Sequence, residues 1–351
     1  MRILVNDLAA SQTGALAVLK SFYDYVCEND KENEWIFLIS GEYLLPKDNI
    51  RIVTYPVIKK SWLHKLWFDR FSGRTLINKY SPDYVLSLQN IITRGVTGRL
   101  GVYIHQAIPF QSEKKFSFFK RNEMILAVYQ HLIGAKIKSS ARRADDVFVQ
   151  TNWMKAAVAD RSRVSSDKIS VVPMSAAVFG RESSPRTTYN SFFYPAGFSA
   201  VYKNHDCIYK ACDCLDEKEL EYKVFLTLDD APTQVSEKIE FIGVQNKSQM
   251  QKRYEENVLV FPSYVETVGL PLVEARSVGT IILAADCAYS REVLAGYENA
   301  YFFDPFSPES LAELMRRVIT GDITLKESKD DFRQTDGWNV LTDKIINHDS
   351  M

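Results

Sequence analysis

Residues 261–275, Phe-Pro-Ser-Tyr-Val-Glu-Thr-Val-Gly-Leu-Pro-Leu-Val-Glu-Ala, follow an apolar run over Val258–Phe261. The apolar run is typical of a buried strand, and the proline predicts that a helix begins beside it. The backbone N–H groups of Val268, Gly269 and Leu270 should point out of that helix start, where the dipole places positive potential. The segment therefore predicts a binding site for a phosphate or for sugar hydroxyls.

Two glutamates flank this predicted helix start, with Glu266 before it and Glu274 within its first turns. Both carboxylates can reach one ligand, and carboxylates hold polyhydroxylated rings by accepting hydrogen bonds from paired hydroxyls. The alternative is that Glu266 is a solvated loop acid and Glu274 only stabilises the helix dipole.

The rest of the chain alternates short apolar runs with amphipathic stretches, a pattern typical of doubly wound parallel sheets. Strands are predicted at Ile3–Val5, Glu34–Ile39, Ile50–Thr54, Tyr84–Leu86, Val102–His105, Asp146–Gln150, Ile169–Val172, Phe192–Pro195, Lys223–Thr227, Ile239–Ile242, Val258–Phe261, Thr280–Ala284 and Tyr301–Phe303. Helices are predicted at Gly14–Cys27, Trp62–Tyr80, Asn122–Ala144, Trp153–Arg161, Asn204–Cys214, Lys247–Glu256, Leu270–Val278, Pro308–Ile319 and Phe332–His348.

A polar stretch interrupts this alternation after residue 180, which predicts two α/β domains. We expect an N-terminal Rossmann-like domain over residues 1–180, a linker over 181–191, a C-terminal Rossmann-like domain over 192–331, and a C-terminal helix over 332–351 that can return to the first domain. Parallel sheets bind ligands at the carboxyl ends of their strands, so two such domains are expected to face each other across a ligand-binding cleft.

Composition supports a folded chain of two domains: it has 351 residues, of which 46% are hydrophobic and 25% are charged. No apolar run is long enough to cross a membrane, and the first residues lack a basic leader, so we expect a cytoplasmic protein. The five cysteines are scattered among apolar neighbours, which suits reduced thiols, and Cys212 and Cys214 are too closely spaced for an ordinary zinc site.

Two further loops after predicted strands carry polar groups suited to a phosphorylated sugar. Lys203 follows the strand at Phe192–Pro195 and can direct a cation at phosphates, although a lone lysine is often only a surface residue. His105 ends another strand, where it either contacts a ligand or caps the strand. Gly14 opens the first helix, where the backbone can approach the donor or acceptor, but its glycine spacing is a weak signal.

No His, Asp or Glu set has metal-ligand spacing, so no metal is expected.

The pattern Pro-Ser-x-x-Glu-x-x-Gly-Leu-Pro-x-x-Glu-Ala over residues 262–275 resembles the signature of bacterial retaining glycosyltransferases of family 4, which have the GT-B fold. The resemblance implies that Glu266 contacts the transferred sugar and that Glu274 binds the donor ribose. It also implies donor contacts for a set of other residues: Thr267, Val268, Gly269 and Leu270 with the sugar and pyrophosphate, Gly243 and Val244 with the base, and His105 with the sugar.

One position departs from the family pattern. Phe198 stands where family members carry an arginine that contacts the pyrophosphate, so Lys203 is left as the main cation unless another, such as Arg291, replaces the arginine. The absence of the arginine makes a non-catalytic sugar-binding partner subunit conceivable.

The resemblance implies transfer of a sugar from a nucleotide-sugar donor to a glycan or to an acceptor linked to polyprenyl pyrophosphate, in the biosynthesis of O-antigen or capsule. A front-face mechanism is expected, with Glu266 as a nucleophile left open. A nucleotide-sugar epimerase, or another enzyme with this fold, is an alternative that would consume no acceptor.

Charge is distributed unevenly: residues 51–150 carry 17 Lys and Arg against 6 Asp and Glu, although the whole chain has a net charge of −1. Within this part, Leu63, Leu66, Trp67 and Phe71 share one helical face beside several lysines. The face either packs in the core or lies on an anionic membrane, with further basic and aromatic residues at 114–121. No nucleic-acid motif accompanies the charge, so a nucleic acid is not expected as a partner.

Overall fold

The computed structural model describes residues 1–10, 13–56, 68–174, 179–180, 188–229, 235–327 and 337–347. Within these residues the chain forms two compact units. The first contains residues from 1–110, 127–174 and 336–351, and the second contains residues from 111–126 and 175–335. The segment at 111–126 thus groups with the second unit, although the sequence places it inside the range expected for the first domain.

The first unit has a sheet in which the described residues form seven strands, all parallel to their neighbours. The strands are β1 Arg2–Asp7, β2 Glu34–Ile39, β3 Ile50–Thr54, β4 Tyr84–Ser87, β5 Arg99–Ile104, β6 Asp146–Val149 and β7 Ile169–Val171, in the order β3-β2-β1-β4-β5-β6-β7. Helices up to residue 174 are α1 Thr13–Asn29, α2 Gly73–Asn78, α3 Met124–Ala127, α4 Gly134–Arg143 and α5 Asn152–Ser162, of which α3 begins in the segment that groups with the second unit.

The second unit has a sheet to which the described residues contribute six strands, again all parallel. The strands are β8 Ser191–Tyr194, β9 Lys223–Leu226, β10 Ile239–Phe241, β11 Val258–Phe261, β12 Ile282–Ala285 and β13 Ala300–Phe303, in the order β10-β9-β8-β11-β12-β13. Its helices are α6 His205–Asp216, α7 Lys247–Glu256, α8 Leu270–Val278, α9 Ala288–Val293 and α10 Pro308–Ile319. Both strand orders reverse direction at one point, which is the doubly wound arrangement that the sequence predicts.

The C-terminal helix α11, Trp338–Ile346, packs into the core of the first unit. Trp338 is fully buried, its ring centroid lies 5.0 Å from that of Phe22, and its indole N–H donates to the Ser21 hydroxyl at 2.9 Å. The apolar side chains of Leu341 and Ile345 are buried in the same cluster. The last helix therefore belongs to the unit formed by the beginning of the chain.

The structure confirms all the predicted strands but changes two of the predicted helices. The helix expected over Asn122–Ala144 begins at Met124 and contains a π-helical turn at Val128–Ile133. The second half of Trp62–Tyr80 forms a π-helical turn at Phe68–Ser72 followed by α2, whereas Leu63, Leu66 and Trp67 lie outside the described residues. Helix α9 was not predicted. In the described part of the chain, no helix is long and apolar enough to cross a membrane.

Candidate functional site

In the sheet of the second unit, the strand order reverses between β8 and β11. These two strands are parallel neighbours, although β9 and β10 separate them in sequence. The loops after these two strands diverge at such a point and leave a crevice, where doubly wound sheets bind ligands. Lys203 lies in the first loop and Glu266 in the second, and the Lys203 Nζ is 2.6 Å from the Glu266 Oε1. The topology thus brings together two residues that are 63 positions apart in sequence.

The ion pair between Lys203 and Glu266 is largely shielded from solvent, because the two side chains are only 14% and 18% exposed. The Lys203 ammonium also lies 5.3 Å from the ring centroid of Phe198 and 5.6 Å from that of Tyr202. Aromatic faces attract a cation, so Phe198 contacts the lysine at the place where the resembled family has an arginine. Arg291, the other candidate cation, forms a bidentate pair with Asp286 at 2.7 Å.

Ser263 holds the Glu266 carboxylate from within the same loop. Its Oγ lies 2.8 Å from the Glu266 Oε1 and 3.2 Å from the Tyr202 carbonyl oxygen, so its single proton can be donated to either. The Tyr264 N–H donates to the Tyr202 carbonyl at 3.0 Å, and the Tyr289 hydroxyl donates to the Ser263 carbonyl. The bonds to Tyr202 tie the loop after β11 to the loop after β8, and the bond from Tyr289 ties it to α9. Sequence reasoning missed Ser263, although it is part of the motif.

Helix α8 begins where the sequence predicts, and Gly269 precedes it as the N-cap residue. Its φ of +76° lies in the left-handed region, which glycine adopts without steric cost. A Cβ here would also approach the Tyr289 ring to 3.1 Å. Both constraints favour glycine, and Val268 beside it is buried while Thr267 is half-buried.

Glu274 lies within α8, and the Tyr254 hydroxyl donates to its Oε2 at 2.6 Å. Tyr254 is fully buried in α7. Burial raises the pKa of Glu274, and the hydrogen bond from Tyr254 opposes that rise. The bond fixes the orientation of the carboxylate. Nothing in the sequence marks Tyr254, because the bond joins two helices that are distant in the chain.

The remaining residues of the second unit that were predicted to bind donor lie after β10. Gly243 has a φ of +62°, and a Cβ there would come within 3.1 Å of the Asp229 carboxylate. Val244 is 82% exposed, and its carbonyl accepts a hydrogen bond from the Gln245 side chain at 3.4 Å. Their contact with a nucleotide base stays a prediction.

Two predicted site residues belong to the first unit. His105 follows β5, its backbone N–H donates to the Asn90 side chain at 2.7 Å, and burial lowers the pKa of its imidazole to about 4. The imidazole is therefore neutral at pH 7. Gly14 lies in the first turn of α1, with open space where a Cβ would be. Roles for both residues at the sugar or the donor stay predictions.

All five cysteines are free thiols, and Cys212 is buried while Cys214 is half-buried. Over the residues that the structure describes, no group of three or more His, Cys, Asp or Glu side chains is placed to hold a metal ion.

Comparison with protein families gives a match to "Glycosyl transferases group 1" over residues 181–335, which is less than half of the chain. Among curated proteins, the O-antigen chain mannosyltransferase RfbU of Salmonella typhimurium is 23% identical over 254 residues, covering 68% of this chain and 70% of that protein. An uncharacterized glycosyltransferase of Methanocaldococcus jannaschii, MJ1607, is 25% identical over 118 residues. That match covers 32% of this chain and only 30% of the relative.

Solved structures show the same architecture at low sequence identity. The lipopolysaccharide outer core galactosyltransferase WaaB is similar with a TM-score of 0.64 and 16% identity, covering 99% of this chain and 100% of WaaB. HepE of Anabaena, solved in complex with UDP-glucose, is similar with a TM-score of 0.59 and 14% identity, covering 90% of this chain and 89% of HepE. The chain thus has the two-domain GT-B fold, and its family match supports a glycosyltransferase.

Proposed function

We propose that this protein is a retaining glycosyltransferase that moves a sugar from a nucleotide-sugar donor to a growing bacterial surface polysaccharide such as O-antigen or capsule. The observation that carries the proposal is the ion pair between Lys203 and Glu266, which lies at the point where the strand order of the second sheet reverses. A cation and a carboxylate held together beside a helix start offer the groups that a sugar diphosphate needs.

A nucleotide sugar is the donor that best fits the second unit. The Glu274 carboxylate would accept hydrogen bonds from the two ribose hydroxyls, and the backbone at Gly243 and Val244 would contact the base. The N–H groups at the start of α8 would bind the pyrophosphate. HepE, a structural neighbour, was solved with UDP-glucose, which supports a donor of this class.

Charge development at the leaving group explains what Lys203 would do. When the bond between the sugar and the diphosphate breaks, negative charge grows on the phosphate oxygen, and a fixed cation in a shielded site stabilises it. The Lys203 ammonium forms an ion pair with the Glu266 carboxylate in this structure, so a bound diphosphate would share the ammonium with that carboxylate. The reaction would then need no metal.

The acceptor would attack from the face on which the diphosphate leaves. The bond from the anomeric carbon to the acceptor oxygen forms as the bond to the phosphate oxygen breaks, and that phosphate oxygen takes the acceptor proton. Glu266 would position the sugar through its hydroxyls. A route in which Glu266 attacks the anomeric carbon first gives the same stereochemistry through two inversions.

Retention of the donor's anomeric configuration is the expected result that tests this proposal. Donors such as UDP-glucose, UDP-galactose and GDP-mannose would first be screened for thermal stabilisation, because a bound ligand raises the melting temperature. Slow hydrolysis of the stabilising α-linked donor should then release the α anomer first, as seen in proton NMR spectra recorded before the sugar equilibrates. A β anomer released first would refute retention. A donor that epimerises without releasing nucleoside diphosphate would favour the epimerase, and binding without turnover would favour the non-catalytic subunit.

We also propose peripheral attachment to the cytoplasmic face of the membrane, where an acceptor linked to polyprenyl pyrophosphate would reside. The segment at residues 118–125 exposes apolar side chains: Phe119 is fully exposed, and Ile125 is 66% exposed. Lys115 and Arg121 are exposed beside them. Phe116, grouped with these residues by sequence, is instead buried, at 3% exposure. Exposed aromatic and basic side chains together suit the headgroup region of an anionic bilayer.

Vesicle co-sedimentation tests this attachment. Binding should rise with the fraction of phosphatidylglycerol and fall with salt, and a Lys115→Ala/Arg121→Ala variant should lose about 2 kcal/mol of binding free energy, at about 1 kcal/mol per cation. Phe119→Ala should also bind more weakly, whereas Phe306→Ala, which removes an exposed aromatic elsewhere in the same unit, should bind as the wild type does. Equal recovery with neutral and anionic vesicles would contradict the proposal.

A further inference from the structure

The loop after β8 places the Lys203 ammonium between two aromatic rings. The ring centroid of Phe198 lies 5.3 Å from the Lys203 Nζ, and the ring centroid of Tyr202 lies 5.6 Å from it. The two rings stand at 70° to each other, with centroids 6.4 Å apart. Because these three distances are nearly equal, the ammonium lies in the corner between the rings, where both rings attract it.

Hydrogen bonds fix the backbone that carries two of these side chains. The Lys203 N–H donates to the Ala200 carbonyl at 2.9 Å, and the Tyr194 hydroxyl donates to the Lys203 carbonyl at 2.8 Å. The Tyr202 carbonyl accepts a hydrogen bond from the Tyr264 N–H at 3.0 Å. The backbone of Tyr202 and Lys203 therefore has a defined position, and the remaining freedom lies in the side chains.

The long lysine side chain needs contacts that orient it, because fixing a flexible stem costs rotamer entropy. Among the described residues, Glu266 is the only hydrogen-bond acceptor for the Lys203 ammonium. In the proposed reaction the Glu266 carboxylate contacts the sugar. A bound donor would therefore compete for the one group that orients the ammonium by a hydrogen bond.

Aromatic rings can hold a cation without adding a negative charge. A second carboxylate would also fix the ammonium, but it would lower the positive potential at the diphosphate and repel the diphosphate itself. The rings of Phe198 and Tyr202 attract the ammonium through their quadrupoles and leave its charge whole. Burial, and then the charge on Glu266, raise the pKa of Tyr202 to about 12, so the Tyr202 ring is neutral at pH 7. The full charge of Lys203 thus remains available to a leaving diphosphate.

Phe198 lies at the surface of the unit rather than in its core. Its side chain is 53% exposed, whereas Phe192 and Phe193 in the preceding strand β8 are fully buried. Substitutions at exposed positions usually change stability little. Variants of Phe198 should therefore fold as the wild type does, and their effects can be assigned to the contact with Lys203.

We propose that Phe198 is a positioning residue, which together with Tyr202 holds the Lys203 ammonium at the leaving diphosphate while Glu266 engages the sugar. This inference rests on the proposed function. Phe198 acts through Lys203 and not on the reacting atoms. Its effect should therefore appear in turnover more than in nucleotide affinity, and only while Lys203 is present.

A double-mutant cycle with Lys203→Ala tests this dependence. Phe198→Leu removes the ring and keeps an apolar side chain, and it should lower kcat about 3- to 30-fold, the range that one cation–π contact supports. The Kd of UDP and of GDP should change less than kcat does. Phe198→Tyr retains the ring and should retain the wild-type rate. In the Lys203→Ala background, Phe198→Leu should have no further effect.

Phe225→Leu is the matched control for the loss of a ring beside a cation. The Phe225 ring centroid lies 4.2 Å from the guanidinium carbon of Arg253, in a pair of the same unit that includes no candidate site residue. Phe225→Leu should leave kcat unchanged. Melting temperatures measured for every variant would show whether a loss of turnover comes from a loss of folded protein.

NMR spectra of lysine-labelled protein test the geometry independently of turnover. Protons above an aromatic face are shifted upfield, so the ε-methylene signal of Lys203, identified by its absence in Lys203→Ala, should lie upfield of the other lysine signals. The upfield shift should decrease in Phe198→Leu and persist when UDP or GDP is bound.

Three results would overturn the proposal: a Lys203 signal without an upfield shift, a wild-type kcat in Phe198→Leu, or an equal loss of kcat from Phe198→Leu with and without Lys203. A protein that turns over no donor would defeat the proposed function. An active protein that depends on Lys203 but not on Phe198 would defeat only the role of Phe198.

Discussion

Replacing Lys203 with alanine is expected to lower turnover by about 10²–10³-fold, the usual effect of removing one electrostatic stabiliser of a transition state. Lys203 is the cation closest to Glu266 in the candidate site, at 2.6 Å, and Phe198 occupies the place of the arginine that would otherwise assist it. The charge acts mainly when the diphosphate leaves. We therefore expect kcat to fall more than donor affinity.

A matched control is available in the same unit. Lys223 forms an exposed ion pair with Glu240, and Lys223→Ala should leave turnover unchanged. Because Lys203→Ala leaves the Glu266 carboxylate without its cation, and Glu266→Gln removes a group that positions the sugar, both single variants and the double variant Lys203→Ala/Glu266→Gln are compared in a double-mutant cycle, which isolates the coupling between the two residues from the loss of charge at the diphosphate. Steady-state assays should be run with EDTA and with magnesium. Turnover that stays at the wild-type rate in Lys203→Ala would contradict the role of Lys203 at the leaving diphosphate. Activity that EDTA abolishes and magnesium restores would contradict a reaction without a metal.

The strands and the start of α8 could be predicted because the signals for them are local. The central strands of a parallel sheet are buried on both faces, so β11 and β12 appear in the sequence as continuous apolar runs. Gly269 and the proline after it mark the start of α8 within three residues. The sequence therefore predicts the edge of the sheet at which the ligand should bind.

The contacts that shape the site could not be predicted, because they join residues that are far apart in the chain. The bond from Tyr254 to Glu274 depends on how α7 packs beside α8, and the pairing of Lys203 with Glu266 depends on strand order. The basic and aromatic composition of residues 114–121 likewise did not show that Phe116 packs against Tyr264, with ring centroids 6.5 Å apart, while Phe119 is fully exposed. Both residues lie in one basic and aromatic segment.

Replacing Glu274 with alanine is expected to weaken the binding of the free nucleoside diphosphate by roughly 1–3 kcal/mol, about 5- to 150-fold in Kd, because two ribose hydroxyls lose their acceptor at a half-buried position. Isothermal titration with UDP and with GDP measures this loss. The raised pKa of Glu274 adds a pH dependence: as pH falls toward that pKa, the carboxylate takes a proton and loses acceptor capacity, so nucleotide affinity should fall.

The hydrogen bond from Tyr254 makes the Glu274 result interpretable. Glu274→Ala also leaves the buried Tyr254 hydroxyl without its acceptor, which destabilises the unit whether or not a nucleotide binds there. Tyr254→Phe removes that hydroxyl and keeps the carboxylate, and Glu274→Gln keeps an acceptor for Tyr254 while removing the charge. If Glu274 binds ribose, Glu274→Gln should lose nucleotide affinity with little loss of melting temperature, whereas Tyr254→Phe should retain most of the affinity. Equal nucleotide affinity in Glu274→Gln, Glu274→Ala and the wild type would leave the carboxylate with a structural role between α7 and α8.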